Sequence, residues 1–346
     1  MIKKTYSFEK NGNINDVYTI QNANGVEIDV LTYGAHLIRI STPDKNGNFD
    51  DILVGCKNPE DYYGQYPYFG ATIGRYGNRI GNARFVIDGK EYQIDANEKG
   101  NALHGGANGQ FNRALWNVET TTDNSITLSH VSPDGAGGFP GEMQVFVTFT
   151  LTDENELRIH YQATSNQDTH CNLTNHAYFN LGGQNAETVL NQKLMIKSRK
   201  ITPVDDALIP HGEFMDIDGT PYSFYEGKLI GKDINSDAQF IKQCSGYDFN
   251  YCLEKAGNGL EHFAYVYDEN SGRRMDCYTT LPGVQLYTAC KTGGFKGKRD
   301  YVHYCALCLE TQRFPNTPNC PQYPTTLLKK GERYDETTVY KFSVVK

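Results

Sequence analysis

Residues 174–180, TNHAYFN, contain a histidine in a two-faced, strand-like setting. If the stretch forms a β-strand, successive side chains alternate between two faces. Ala177 and Phe179 then share one face, and His176 and Tyr178 share the other. An imidazole with an ordinary pKa near ~6.5 can give or take a proton near neutral pH. The pattern therefore predicts a titratable side chain on the polar, aromatic face of a strand.

The segment YCALCLETQRF has the same two-faced character and includes a carboxylate. On a strand, Glu310 and Gln312 share one face. The other face carries Cys305, Leu307 and Leu309. Apolar surroundings partly desolvate such a carboxylate, which raises its pKa and suits a base that works near neutral pH. A glutamate that faces water at a strand end fits the segment equally well, so both interpretations stay open.

Two further polar residues have weaker local support. His104, in NALHGG, precedes two glycines that permit close backbone approach at the lip of a pocket, although a lone histidine in a turn is usually structural. Gln285, in PGVQLYTA, lies between Val284 and Leu286. A cross-strand hydrogen bond explains Gln285 without a ligand.

The glycine-rich stretches do not match a nucleotide site. GRYGNRI contains Arg75, Asn78 and Arg79, and its glycine spacing fits neither the dinucleotide fingerprint nor a P-loop. GGFKGKRD is basic but also lacks the P-loop pattern, and it is typical of a solvated loop.

Two histidines and one carboxylate offer the donor types of a facial metal site. They are His104, His176 and Glu310, and no H-x-H or H-E-x-x-H spacing anchors them. His170 lies six residues before His176 and shares its face only if the strand stays regular. We therefore predict no metal site.

Strand patterns fill most of the chain. In QVFVTFTLTDENELRIHYQAT, apolar residues alternate on both sides of a turn at residues 153–155, which predicts a hairpin. NPEDYY indicates one short helical turn. Because no linker, low-complexity tract or short-period repeat interrupts the strands, we predict one large antiparallel sandwich over residues 1–346 rather than two small domains.

Composition narrows the function classes. The chain has 346 residues and a formal net charge of −8, with a pI near 5.6, which argues against nucleic-acid and anionic-membrane partners. The opening MIKKTYSFEKNGNIN lacks the apolar run of a secretory signal, and no segment approaches the ~20 apolar residues of a membrane span. We predict a soluble, cytoplasmic protein.

Cysteine usage agrees with a reducing compartment. Nine cysteines is an odd number, in a chain too large to need disulfide staples. Cys305 and Cys308 form a C-x-x-C, but residues three apart in a strand point to opposite faces and do not predict a zinc or redox pair. We expect buried, reduced thiols.

Six separated signatures resemble, in order, those of the aldose 1-epimerase (galactose mutarotase) family. They are TYGAHLIRISTPDKNGNFDDILVG, GRYGNRIGNARFVIDGKEYQIDANEKGNALHGG, TNHAYFNLGG, SGYDFNYCL, PGVQLYTA and CLETQRFPNTPN…PTTLLKKGERYDETTVYKF. The resemblance covers nearly the whole chain. It implies an all-β fold, a single large antiparallel supersandwich of the galactose mutarotase type with a sugar-binding groove, and a reaction without a cofactor.

The resemblance also implies a reaction and residue roles. The reaction interconverts the α and β anomers of a free aldose such as galactose or glucose. His176 corresponds to the general acid that protonates the ring oxygen, and Glu310 to the general base at the anomeric hydroxyl. His104 corresponds to a residue that holds the ring-oxygen side of the sugar. The positions that match the family's grip on sugar hydroxyls are Asn78, Arg79, Asp248 and Gln285. The partner is a small sugar, and the protein is expected to be a monomer or a homodimer.

Three other functions compete with this one. A sugar-phosphate epimerase needs converging basic residues, and the cluster that offers them is Lys291, Lys296, Lys298 and Arg299. A non-catalytic sugar-binding protein is expected to have lost the histidine or the glutamate. A glycoside hydrolase needs two carboxylates, for which Asp248 and Glu310 qualify, but it leaves the histidines unexplained.

Overall fold

A computed structural model describes residues 1–64 and 66–345 as an assembly of antiparallel strands. The first strands are β1 (Ile2–Lys10), β2 (Asn13–Gln21), β3 (Glu27–Leu31), β4 (His36–Pro43), β5 (Phe49–Asp51), β6 (Leu53–Val54), β7 (Thr72–Ile73), β8 (Arg79–Ile80), β9 (Arg84–Ile87), β10 (Lys90–Gln93), β11 (Ala102–Leu103), β12 (Asn117–Thr121), β13 (Ser125–Ser132), β14 (Met143–Leu151) and β15 (Glu156–Ser165). The later strands are β16 (Thr169–His170), β17 (Thr174–Asn175), β18 (Tyr178–Phe179), β19 (Lys193–Ile196), β20 (Lys200–Ile201), β21 (Met215–Asp216), β22 (Lys228–Leu229), β23 (Asp248–Cys252), β24 (Glu261–Tyr267), β25 (Arg273–Thr279), β26 (Gly283–Tyr287), β27 (Cys308–Gln312), β28 (Leu327–Leu328) and β29 (Arg333–Val344). Helical structure is short. The α-helix α1 spans Gln239–Cys244, and 3₁₀ turns span Pro59–Tyr63, Gly81–Ala83, Phe111–Arg113, Ala136–Gly138, Ile230–Lys232 and Thr317–Asn319.

Three sheets account for most of the strands in the described residues. The first has the order β1-β2-β3-β4-β5, and the second has nine strands in the order β12-β13-β14-β15-β29-β25-β24-β19-β22. The third has the order β21-β20-β23-β26-β27. The remaining strands form separate two-stranded sheets: β6 with β18, β7 with β17, β8 with β11, β9 with β10, and β16 with β28.

The hairpin predicted from alternating residues is present in the nine-stranded sheet. β14 and β15 pair in antiparallel register, with Val147 opposite Tyr161 and Phe149 opposite Ile159. These four side chains are buried, whereas the residues between them lie on the outer face. Asn155 closes the turn with a positive φ of 61°, a conformation that asparagine adopts more readily than most residues.

One hydrophobic cluster draws on all three sheets. It includes Ile28 from β3, Val147 from β14, Phe249 from β23, Leu286 from β26 and Leu309 from β27, each at most 1 % exposed. Burial of such side chains stabilises the fold by about 1.5–3 kcal/mol each. The sheets therefore pack against a common core, and the all-β prediction is confirmed.

The third sheet has one apolar face and one polar face. The apolar residues above alternate with a row that is in register across three strands, namely Asn250, Gln285 and Glu310. The next row on the same face begins with Asp248 and Tyr287, which are also paired. Because side chains alternate along a strand, burying the apolar face in the core turns this polar row the other way.

Two local expectations are corrected. Residues 174–180 are not one strand: β17 pairs with β7, and β18 pairs with β6. The change of partner occurs at His176, although the apolar side chains of Ala177 and Phe179 do reach the core as predicted. Cys305 does not share a face with Leu307 and Leu309, because β27 begins only at Cys308; it packs in the same cluster as Cys308 instead.

Other expectations hold. NPEDYY forms the 3₁₀ turn Pro59–Tyr63. All nine cysteines are free thiols and eight of them are buried. Within residues 1–64 and 66–345, no helix is long and apolar enough to cross a membrane.

Candidate active site

A cavity of about 220 Å³ lies over the polar face of the third sheet. All seven residues singled out from the sequence line it: Asn78, Arg79, His104, His176, Asp248, Gln285 and Glu310. The other lining residues are Pro67, Tyr68, Glu98, Leu103, Tyr178, Tyr287 and Lys291. The fold thus brings together side chains that are up to 232 positions apart in the chain, counted from Asn78 to Glu310.

A larger groove of about 470 Å³ lies elsewhere on the molecule and contains none of these seven residues. Its Arg313 pairs with Glu336 at 2.7 Å. The Lys255 ammonium donates to the carbonyls of Gly259 and Thr279. Because its ionic groups already have partners, this groove offers less to a ligand than the smaller cavity does.

His176 is held by its backbone and by stacked rings. Its N–H donates to the carbonyl of Ala71, and its carbonyl accepts from the N–H of Gly70, both at 2.9 Å. The ring stacks on Tyr178 with centroids 4.9 Å apart and planes 11° apart. Tyr178 is itself fixed, since its hydroxyl donates to the carbonyl of Pro67 at 2.6 Å. The imidazole therefore has a fixed orientation toward the cavity.

His176 and Glu310 face each other. His176 Nε2 lies 3.5 Å from Glu310 Oε1, and both side chains are almost fully buried. Burial lowers the pKa of His176 to about 3. Burial also raises the pKa of Glu310 well above its usual range, with the Asp248 carboxylate adding to the effect and Arg79 opposing it. Of the two interpretations left open for Glu310, the desolvated carboxyl is confirmed.

Polar atoms of this pair are left for a ligand. Glu310 Oε2 and His176 Nδ1 are buried and have no hydrogen-bond partner in the part of the chain that the structure describes. Buried polar atoms are normally paired, because an unpaired one loses the free energy of its hydration. The unpaired Oε2 is an acceptor at a cavity wall, which suits a substrate hydroxyl.

His104 is a hydrogen-bond donor toward the cavity. Its ring Nδ1 accepts from the backbone N–H of Asn78 at 3.2 Å, and the backbone N–H of His104 donates to the Asn78 carbonyl at 3.1 Å. Both residues have positive φ, 52° for His104 and 64° for Asn78. Since Nδ1 accepts, the neutral ring carries its proton on Nε2. Burial, followed by His176 and Arg79, lowers the pKa of His104 and keeps the ring neutral.

This tautomer bears on the metal interpretation. One ligand atom from each of His104, His176 and Glu310 lies within 4.8 Å of the others. A metal needs a bare nitrogen lone pair, but Nε2 of His104 carries a proton as long as Nδ1 accepts from Asn78. Binding a metal there costs that hydrogen bond, whereas a sugar oxygen accepts from Nε2–H as it stands.

A network of amides orients Gln285. Its Nε2 donates to Asp248 Oδ1 at 2.7 Å, and its Oε1 accepts from Gln312 Nε2 at 3.3 Å. Gln312 Nε2 also donates to Asn250 Oδ1 at 3.1 Å. Because an ionised carboxylate only accepts hydrogen bonds, Asp248 fixes which way the Gln285 amide points. The cross-strand bond expected for Gln285 therefore exists, in a residue that also lines the cavity.

Other residues named from the sequence lie outside the cavity. Arg75 donates to the carbonyls of Pro140 and Gly141 in the interior. His170 contacts the hydroxyl of Thr326 at 2.8 Å. Of the basic cluster, Lys291 lines the cavity.

The remaining members of the basic cluster are tied elsewhere. Lys298 pairs with Asp51, and Arg299 donates to the carbonyl of Ala186. Lys296 forms an isolated backbone β-bridge with Asp300 and is not among the residues that line the cavity. A phosphate in the cavity thus meets one lysine of this cluster rather than several.

Sequence reasoning missed several lining residues. Tyr68 packs its ring against His104 at 4.7 Å and His176 at 5.9 Å, yet it lies in a loop that carries no local signal. Glu98 belongs to a turn, NEKGN, whose glutamate resembles any exposed one. Its significance lies in the contact with Arg79, which the chain order does not reveal.

Comparison with known proteins identifies the family of this chain. The family model described as Aldose 1-epimerase matches residues 16–341. The chain belongs to the aldose 1-epimerase family. This membership confirms the resemblance drawn from the six signatures and makes the chain an enzyme of the epimerase class.

Relatives of this family member match it over nearly their whole length. It is 40% identical over 323 residues to the galactose mutarotase of Homo sapiens, covering 92% of each chain. It is 33% identical over 346 residues to the aldose 1-epimerase of Escherichia coli K12, covering 99% of each. Among solved structures, it is similar to the galactose 1-epimerase of Lactobacillus acidophilus NCFM, with a TM-score of 0.87 at 25% identity and coverage of 100% and 99%. The aldose epimerase homologue from C. elegans also gives 0.87, at 29% identity and coverage of 95% and 98%.

Proposed function

We propose that this epimerase interconverts the α and β anomers of free aldohexoses such as galactose and glucose, with His176 as general acid and Glu310 as general base. One observation carries the proposal. An imidazole and a carboxyl group face each other at 3.5 Å on the wall of a cavity whose other lining residues mostly have hydrogen-bonding side chains. Opening a cyclic hemiacetal requires such a pair, one member to take a proton and the other to give one.

The first half-reaction opens the ring. The Glu310 carboxylate removes the proton from the anomeric hydroxyl, and the electron pair of that O–H bond forms the carbonyl. The bond between C1 and the ring oxygen breaks, and the ring oxygen takes a proton from the His176 imidazolium. The product is the open-chain aldehyde, with a neutral histidine and a protonated glutamate.

The second half-reaction reverses these roles. The aldehyde rotates about the C1–C2 bond and presents its other face to the hydroxyl that came from the ring oxygen. His176 takes the proton of this hydroxyl as it attacks C1, and Glu310 returns its proton to the carbonyl oxygen. Protons and electrons balance over the cycle, and both side chains return to their starting states.

The other lining residues hold the sugar. His104 donates from Nε2, on the tautomer fixed by Asn78, to the ring-oxygen side. Arg79, Asp248 and Gln285 contact hydroxyls, with Gln285 oriented through the Asp248 carboxylate. A site built to hydrogen-bond hydroxyls discriminates strongly against analogues that lack them.

Polarimetry on freshly dissolved α-D-galactose and α-D-glucose tests the proposal. We expect the native protein to speed the approach to anomeric equilibrium. His176→Gln and Glu310→Gln should each reduce kcat by ~10²–10⁴-fold, the usual contribution of a positioned acid or base. His170→Gln is the matched control, because it removes a buried histidine outside the cavity and should leave kcat unchanged.

Other outcomes would show which part of the proposal is wrong. Activity that survives both substitutions keeps the reaction but contradicts the two roles. A native protein that accelerates neither sugar contradicts the reaction, and aldose phosphates are then tested first. Release of sugar from a nitrophenyl galactoside would instead indicate a hydrolase that uses Asp248 and Glu310.

A further inference from the structure

The Arg79 guanidinium forms an ion pair with the Glu98 carboxylate along one edge. Its Nε lies 2.6 Å from Glu98 Oε2, and its Nη2 lies 3.0 Å from Glu98 Oε1. This is the bidentate geometry in which a guanidinium and a carboxylate fix each other's plane. Arg79 is 7 % exposed, so its guanidinium is largely shielded from water and the ion pair with Glu98 holds it in one orientation.

Glu98 is itself fixed by a tight turn. Glu98 and Asn101 exchange both backbone hydrogen bonds, at 3.1 and 2.8 Å. The two residues between them, Lys99 and Gly100, have φ of 49° and 84°, as a two-residue hairpin turn of type I′ requires. Asn97 ties the turn down through hydrogen bonds to Leu103. The carboxylate thus projects from a rigid support rather than from a mobile loop.

The Glu98 contact leaves one edge of the guanidinium for a ligand. Nε and Nη2 of Arg79 are occupied, and Nη1 has no acceptor among the described residues. Arg79 lines the cavity, as does Glu98. Nη1 is not among the fully buried atoms without a partner, and Arg79 lines the cavity, so we infer that Nη1 is available to a sugar hydroxyl.

The same contact sets the charge of the cavity. The lining carboxyl groups are Glu98, Asp248 and Glu310, and the lining cations are Arg79 and Lys291. Glu98 neutralises Arg79 within hydrogen-bond distance, so Lys291 is the lining cation that Glu98 does not balance. No cation in this set is left in excess to attract an anionic ligand.

We propose that Glu98 is a positioning residue for sugar binding and that it makes the site select uncharged aldoses over anionic ones such as hexuronates. It acts through Arg79, by holding the guanidinium plane and by cancelling its charge. This inference rests on the proposed function, because it assigns the ligand of the same cavity.

Two substitutions test it, Glu98→Gln and Glu98→Ala, on the full-length protein. We expect the KM for galactose to rise about tenfold, the effect of losing one good hydrogen bond to a charged group, with kcat little changed. The ratio of kcat/KM for galacturonate to that for galactose should rise about tenfold, because an uncompensated guanidinium attracts the carboxylate. Glu91→Gln is the matched control, since Glu91 pairs with Arg84 at 3.4 Å and both side chains are over half exposed. It should change neither quantity.

Calorimetric titration with galactose separates this inference from the proposed function. If the native protein binds galactose but does not interconvert its anomers, the proposed reaction is contradicted. A higher Kd for galactose in Glu98→Gln would still support the positioning role. An unchanged Kd and KM in both variants would overturn that role. A fall in kcat with an unchanged sugar ratio and a lower Tm would mean that Glu98 only stabilises the fold.

Discussion

At the scale of single residues, the pKa values of His176 and Glu310 are shifted in opposite directions by the same physical cause. Burial disfavours the charged form of both, so it lowers the pKa of the imidazole and raises that of the carboxyl. Between these two limits the pair binds one proton in total. The neutral pair and the imidazolium–carboxylate pair have the same proton count, so the form that we propose to react needs no proton from solvent.

The pH dependence of kcat/KM follows from this sharing. As pH falls toward the His176 pKa of about 3, the pair gains a second proton and loses its base. As pH rises above the raised pKa of Glu310, the pair loses its proton and has no acid. We expect kcat/KM to stay constant between these two limits and to fall outside them, as measured by polarimetry after subtraction of the buffer-catalysed rate.

An acid limb near pH 6.5 would contradict this expectation, because it would mean that His176 titrates as an ordinary hydrated imidazole. NMR titration of the His176 ring provides an independent reading.

At the scale of elements, the third sheet acts as a rigid platform for the site. β23, β26 and β27 align Asn250, Gln285 and Glu310 in one row. In the next row on the same face, Gln312 pairs with Gly283, is fully buried and does not line the cavity. Its amide donates to both Gln285 and Asn250. Gln312 therefore helps to hold the side chain of Gln285, which we assign to sugar binding.

Replacing Gln312 by Leu should therefore affect stability and binding together. The acceptors on Gln285 and Asn250 lose their donor in a buried place, which costs about 1–3 kcal/mol of the free energy of unfolding. We also expect the KM for galactose to rise, because the Gln285 amide is no longer held on one side. Urea unfolding and polarimetry measure the two effects.

Thr311→Val provides the comparison within the same strand. Thr311 lies on the opposite face of β27 and bonds to the hydroxyl of Thr338 in the nine-stranded sheet. Its replacement should lower stability and leave KM unchanged. Equal KM changes in the two variants would mean that Gln312 acts only through general destabilisation.

At the scale of the whole molecule, the three sheets share one core. Trp116 is the chain's single tryptophan, is 2 % exposed, and belongs to the same cluster as residues of β14, β23 and β26. Its indole N–H donates to the carbonyl of Phe111 at 3.1 Å. Its fluorescence therefore reports on the packing of this core, whereas far-ultraviolet circular dichroism reports on all the strands.

Because of this shared core, we propose that residues 1–346 fold as one domain. Urea unfolding curves from tryptophan fluorescence and from circular dichroism should coincide, as expected when no intermediate is populated. Two separated transitions, with part of the strand signal lost before the fluorescence changes, would contradict a single domain.

The sequence by itself determined the class of fold and the chemical types in the site. Alternating residues predict strands such as β14 and β15, because the period of two is a local property of an extended chain. The six signatures identify the family, since side chains that do chemistry are kept together with their immediate neighbours. Local pattern also placed Glu310 on the polar face of its strand, but it left open whether that face met water.

Only the tertiary structure decided the surroundings of these residues. Desolvation of Glu310, the 3.5 Å approach of His176 and the tautomer of His104 all depend on segments far apart in the chain. The break at His176 arises because β17 and β18 pair with different partners, and the pairing of Glu98 with Arg79 depends on how a turn packs. Such contacts are set by the packing of distant segments, and neighbours in sequence carry no local signal of them.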